Sequence, residues 1–272
     1  MRNDSRAARE HGVSGAVMFG RDGDIALVTL SNPGKLNAIS VAMWRALAEG
    51  FHRLAEDRSL RCVVVRGADG NFAAGADIAE FPRVRADAHS VQAYHQHTLA
   101  PALDAIAQCP HPTLAAIEGV CVGGGLEIAC HCDLRIAAAD SRFGVPINRL
   151  GFPMAPGELQ GLLALAGRAV TLEILLEGRV FGAAEARDKG LLTRVVPPGE
   201  LAAEAMASAR RIAAGAPLAA RINKATIARL SPRPEPLTAA ELAAHFAYAG
   251  SRDHAEGVEA FLARRPPRFQ GE

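Results

Sequence analysis

The sequence predicts an α/β chain with an all-helical C-terminal part, and three observations predict it. The apolar runs Cys62-Val-Val-Val65 and Thr113-Leu-Ala-Ala-Ile117 read as short buried strands, each leading into a small-residue turn and a helical stretch. From Glu200 the pattern is helical throughout, broken at Gly215-Ala-Pro217, Ser231-Pro-Arg-Pro-Glu-Pro236 and Gly250-Ser251. Composition agrees, since 49% of the 272 residues are hydrophobic and only 5% aromatic, a balance that suits a helix-rich α/β protein. The chain therefore divides into a tail over 1–14, an α/β core over 15–198 and a helical region over 199–272.

The elements follow in order. Ala16 to Phe19 and Ile25 to Leu30 read as strands joined through Gly20-Arg-Asp-Gly23, a hairpin. Ser40 caps a helix in which Trp44, Leu47, Phe51 and Leu54 recur at helical spacing and form a core stripe. Arg61 to Arg66 is a strand whose continuous apolar centre predicts burial on both faces. Pro82 to about Ala107 reads as one helix with Val91, Leu99, Leu103 and Ile106 inward; His95 and His97, two apart, face different ways and read as surface or packing residues. Leu126 to Cys132 is helical, Leu134 to Ala137 a strand, and Gly144 to Pro156 a loop rich in proline and glycine. Thr171 to Leu176 and Ala183 to Lys189 read as short helices, the latter ended by Gly190, and Thr193 to Val196 as a closing strand. No repeat of fixed period runs through the chain.

Charge and cysteines exclude several classes. With 30 basic and 29 acidic side chains the net charge is +1, so nothing electrostatic argues for nucleic acid or an anionic membrane surface. Five cysteines without regular spacing argue against a disulfide framework and for a reducing compartment. Cys130-His-Cys132 lies on a helix, where residues one and two apart diverge, so no metal is expected there. The first dozen residues lack the apolar core of a signal peptide and no run reads as a membrane span, which leaves the cytoplasm as the expected location.

The chemistry concentrates in Gly119-Val-Cys-Val-Gly-Gly-Gly-Leu-Glu-Ile-Ala-Cys-His-Cys-Asp133. Three glycines stand where a strand gives way to a helix, and the first amides of a helix have no internal partner, so they can hold an anionic oxygen. Gly124 is the leading donor, and Glu127, three residues on, shares its face and can reach the same bound group. A plain glycine-rich turn with an ordinary first-turn carboxylate explains these residues equally well. A second turn, Asn71-Phe-Ala-Ala-Gly-Ala-Asp-Ile78, follows the strand over 61–66 and can supply a second donor.

Together with Asn32-Pro-Gly-Lys-Leu-Asn-Ala-Ile-Ser40, Ser141-Arg-Phe-Gly-Val-Pro146, Leu150-Gly151 and the tail from Ser251 to Phe261, these segments resemble the enoyl-CoA hydratase/isomerase (crotonase) family in order and approximate spacing, from about Ala16 to about Gln270. The resemblance implies a crotonase-like spiral of ββα turns with a helical C-terminal trimerisation region, commonly assembled as homotrimers or hexamers. It implies an acyl-CoA thioester as substrate, no cofactor, and an enolate oxygen held by the amides of Ala76 and Gly124, with Glu127 as acid/base. It also implies a coenzyme A path along Lys35, Leu36, Ala74, Asp77 and Ile78, with Phe261, Arg264 and Arg265 on the last helix near a neighbouring subunit's site.

One position departs from the family. Where typical hydratases carry a second carboxylate after a Phe-Gly-x-Pro pattern, Pro146 is followed by Ile147, which transfers no proton. The nearest acid is Glu158; the usual isomerase position is held by Ala155, so Glu158 serves only if the loop is remodelled, and its plain reading is a first-turn helix carboxylate. Asn148 is placed to orient a water. The expected activity is hydration, dehydration or double-bond isomerisation of an enoyl-CoA; the alternative is an acyl-CoA-binding protein with little turnover.

Overall fold

The computed structural model describes residues 15–231 and 235–272; the tail over 1–14 and part of the proline-rich break at 231–236 lie outside them. Strand β1 (Ala16–Asp22) pairs antiparallel with β2 (Ile25–Ser31), turning at Gly23, whose φ of 60° suits glycine. The hairpin thus turns three residues later than the Gly20 start expected of it. Helix α1 (Val41–Glu56) starts at Ser40, whose side chain accepts from the Met43 amide, and buries Trp44, Leu47 and Phe51 as its spacing predicts. Then come β3 (Cys62–Gly67), α2 (Phe81–Val84), α3 (Ala88–Tyr94), α4 (Ala100–Gln108), β4 (Thr113–Ile117), β5 (Val120–Val122) and α5 (Gly124–His131). They are followed by β6 (Leu134–Ala138), β7 (Arg142–Gly144), α6 (Pro156–Glu177), β8 (Phe181–Gly182), α7 (Ala183–Asp188) and β9 (Arg194–Val196). The C-terminal part is α8 (Leu201–Ala213), α9 (Pro217–Leu230), α10 (Ala239–Phe246) and α11 (Arg252–Leu262), the four helices the breaks predict.

Six strands form one sheet in the order β1-β2-β3-β4-β6-β9, parallel from β2 onward, and β5-β7-β8 form a second. Strand period explains the layering: Val63 and Val65 of β3 face the main core with α1 and α4, while Cys62 and Val64 face a second core under α8. All four are buried, as the unbroken apolar run requires.

The long helix expected over 82–107 is instead broken twice. Asp87 and Ser90 form a reciprocal cap, with the Ser90 amide donating to Asp87 Oδ1 at 2.7 Å and the Asp87 amide to Ser90 Oγ at 2.9 Å, so α3 starts anew after a turn at Arg85. Pro101, just inside α4, has no N–H and crowds the preceding turn; there one π-helical turn, His95–Leu99, widens the coil, with the Ala100 amide reaching back to His95 O. The inward positions Val91, Leu99, Leu103 and Ile106 are nevertheless all buried.

Helix α6 also corrects the sequence reading. Its 22 residues replace a loop end and a short helix, and by length and composition alone they are apolar enough to cross a bilayer. Gly167, at φ 71° and ψ 172°, breaks the helix near its middle, and its first half packs on α5.

Candidate active site

The two glycine turns meet. The stretch over 71–77 threads between 36–39 on one side and 118–122 on the other, with Ala73 N–H donating to Val120 O at 2.9 Å and Ala74 N–H to Leu36 O at 3.0 Å. Ile39 N–H donates to Gly75 O at 2.7 Å and Asp77 N–H to Ile39 O at 2.9 Å, so the Ala76 amide between them points away from Ile39. It lies beside the start of α5: a Cβ on Gly75 would lie 3.4 Å from the Gly124 nitrogen, and one on Gly124 would lie 3.7 Å from the Ala76 nitrogen. Among the described residues neither amide donates to a carbonyl or side chain, so two free donors stand side by side.

Glycine is needed at two of these positions for definite reasons. Gly75 has φ 92°, closed to ordinary side chains. Gly124 packs under the Trp44 indole, where a Cβ would come to 2.9 Å.

Glu127 stands in the first turn of α5, 5% exposed, with Oε2 unpartnered. Across from it, in the first turn of α6, Glu158 is 4% exposed. Burial first, then the neighbouring Glu158 charge, pushes the Glu127 carboxyl well above its usual value. Burial likewise raises Glu158 to about 7, against the pull of Arg85. Two carboxyls that hinder each other's ionisation can hold one proton between them, the arrangement that separates an acid from a base.

Neither His95 nor Arg85 stood out in the sequence as a site residue. His95 is buried at the start of the π turn, its Nδ1 bonded to Glu158 Oε1 and its ring stacked on Phe246 at 5.6 Å. Burial, aided by Arg85, holds it well below its ordinary value, so it meets Glu158 as a neutral imidazole. His97 is exposed, as its spacing predicts. Arg85 is 6% exposed and lies over Phe81 at 3.8 Å, Tyr94 at 4.3 Å and Phe152 at 5.0 Å. The Asp87 cap that breaks the helix was the one signal in the sequence that Arg85 sits on a turn.

Of the expected coenzyme A residues, Lys35 Nζ pairs with Asp77 Oδ2 at 2.7 Å, Leu36 is exposed beside it, Ala74 bonds to Leu36, and Ile78 opens a short 3-10 turn capped by Asp77. All five thus line one edge of the turn that carries Ala76. Ile147 packs against the main core and brings no acid. Asn148 does not face the carboxyls: its Nδ2 donates to Leu176 O at 3.0 Å, tying it to the end of α6. Arg264 and Arg265 lie beyond α11, and Arg265 is engaged with Glu256 at 2.6 Å and Glu259 at 3.2 Å, which draws the Glu256 carboxyl down to about 2. Cys130 and Cys132 are buried apart from His131, whose Nδ1 donates to Glu127 O at 2.7 Å. Two open surface hollows lie away from the amide pair, one between β2, β3 and α8 and one beside α11.

Residues 20–272 match the family model for enoyl-CoA hydratase/isomerase. The chain belongs to that family. A Mycobacterium bovis protein described as a probable enoyl-CoA hydratase is 34% identical over 255 residues, spanning 93% of this chain and 97% of the relative. Among solved structures of this family, an enoyl-CoA hydratase/carnithine racemase from Magnetospirillum magneticum is 48% identical with a TM-score of 0.78, covering 94% of this chain and 96% of its own. A methylmalonyl-CoA decarboxylase in complex with 2-nitronate-propionyl-CoA is 27% identical with a TM-score of 0.83, covering 96% and 100%. The fold is therefore the crotonase fold with a helical C-terminal region.

Proposed function

We propose that the protein adds water to, or removes it from, an enoyl-CoA, with the thioester oxygen held by the Ala76 and Gly124 amides and the proton work divided between Glu127 and Glu158. The observation that carries this reading is the convergence of two unpaired amides below two buried carboxyls. An enolate gathers charge on its oxygen, and preorganised N–H dipoles in a dry site stabilise it by roughly 3–4 kcal/mol each. One carboxylate takes a proton from water as its oxygen bonds to C3; the other, protonated, delivers a proton to C2, so that water is added across the double bond. Burial raises both carboxyls, Glu158 to about 7, which gives the pair the poise this exchange needs, and acid/base action of this kind supplies roughly 10²–10⁴-fold. Glu158 thus takes the work that Ile147 leaves undone, and the coenzyme A moiety follows Lys35, Leu36, Ala74, Asp77 and Ile78. No cofactor beyond the thioester itself enters this scheme.

The test is incubation of the enzyme with 2-enoyl and 3-enoyl thioesters in D₂O. A 3-hydroxyacyl product with one deuterium at C2 is expected, and Glu127→Gln and Glu158→Gln should each lower kcat by about 10²-fold or more. Label at C2 without added water assigns isomerisation instead. The alternative, an acyl-CoA-binding protein, is motivated by Ile147 and predicts binding with a trace turnover that neither substitution changes.

A further inference from the structure

Resting on that reading, we propose that Arg85 selects the acyl group, binding a carboxylate at the end of the chain remote from the thioester, so that the preferred substrates are thioesters of dicarboxylic acids. A guanidinium is always charged, and burying one without a partner is strongly unfavourable. Arg85 is 94% buried, its Nε and Nη1 have no acceptor, and among the described residues no carboxylate lies within ion-pair distance of it. The rings of Phe81, Tyr94 and Phe152 surround its guanidinium carbon and hold the group in place. The same cage excludes water, where a charge-assisted hydrogen bond is strongest.

Glu127 and Glu158 are the obvious rivals for this charge, and the structure weighs against them. Each feels Arg85, yet neither is bonded to it, and Glu158 spends Oε1 on His95 instead. An arginine meant only to neutralise the pair would close on one of them. It stands on the turn between α2 and α3, a short way along the chain from Ala76, and its charge reaches both Glu127 and Glu158, which puts it on the carboxyl side of the site. Phe152, from the loop before α6, carries Tyr248 stacked on it at 6.2 Å, and Tyr248 Oη is also buried without a partner.

The test uses saturated thioesters, which bind without reacting: succinyl-, glutaryl- and adipyl-CoA against butanoyl-, pentanoyl- and hexanoyl-CoA, by titration calorimetry. For at least one length the carboxylate form is expected to bind ten times more tightly or better to the native protein. Arg85→Met should abolish the preference and leave the neutral thioester's affinity within about twofold, while Arg85→Lys retains part of it; circular dichroism verifies that both fold. Equal affinities at all three lengths, a preference that survives Arg85→Met, or no binding of any thioester overturns the assignment. A preference for carboxylates with no incorporation of deuterium at C2 from enoyl thioesters would instead leave Arg85 in its role and remove the proposed reaction.

Discussion

At the scale of single residues the decisive feature is a pair of acids kept from ionising together. Glu158 holds its proton to about pH 7 in the folded protein, while the same group in the unfolded chain ionises near 4.5. Between those values the folded state binds more protons, so this group's contribution to stability is present below 4.5 and is lost as pH rises through 7. The total is about 3 kcal/mol. His95 acts with the opposite sign, since its folded value lies below 6.5 and protonation of the unfolded chain disfavours folding as pH falls through that range. Glu158→Gln removes the first effect, together with the part of the Glu127 shift that the Glu158 charge causes, and keeps the second, so the difference reports the carboxyl pair without His95. Urea unfolding across pH 4.5 to 8 should show the native protein losing about 3 kcal/mol relative to the variant; a difference independent of pH would mean that Glu158 is ionised at neutrality.

At the scale of elements, the site depends on two strand-to-helix turns whose backbones touch, and glycine makes that contact. In Gly75→Ala the residue must leave φ 92° or stay there strained, and its Cβ would meet Val122 O at 3.2 Å. Either response rotates the Ala76 amide, so kcat should fall by about 10²–10³-fold, the loss of one such donor, while stability drops by only about 1–2 kcal/mol. Unchanged kcat in a folded Gly75→Ala would remove Ala76 from the proposed pair. These turns were legible in the sequence because glycine and alanine runs between a strand and a helix announce themselves, and so were the α1 stripe and the doubly buried β3. Glu158 was legible only as the nearest acid beyond Ile147, and the roles of His95 and Arg85 were not legible, since what joins the three is tertiary: 63 residues separate His95 from Glu158. The π turn that brings His95 inward arises where Pro101 meets an otherwise regular helix, and helical spacing sends His95 elsewhere. The hairpin turn and the length of α6 were misread for a simpler reason, because strand and helix ends follow packing more closely than local pattern.

At the scale of the whole molecule, α9 is the element that a single chain does not explain. One edge is tied to the core, with Arg221 Nη2 donating to Leu60 O at 3.1 Å and Lys224 Nζ to Asp133 Oδ2 at 2.7 Å. The polar residues thus anchor the helix, and Leu218, Ile222, Ile227 and Leu230 are left between 54% and 76% exposed. Leu176, at the end of α6, is 73% exposed as well. Soluble chains do not leave so many aliphatic side chains bare unless another surface covers them, and a repeated copy of the same chain is the simplest cover. Light scattering on purified protein should give an integral multiple, threefold or sixfold, of the 28.5 kDa chain mass. Leu218→Glu combined with Ile222→Glu adds two charges to this face without touching Arg221 or Lys224, and should release a folded single chain. If the native protein runs at 28.5 kDa, the exposed face of α9 is not a subunit contact. If the double variant keeps the native mass, assembly runs through another surface, and the α6 end at Leu176 is the next to charge.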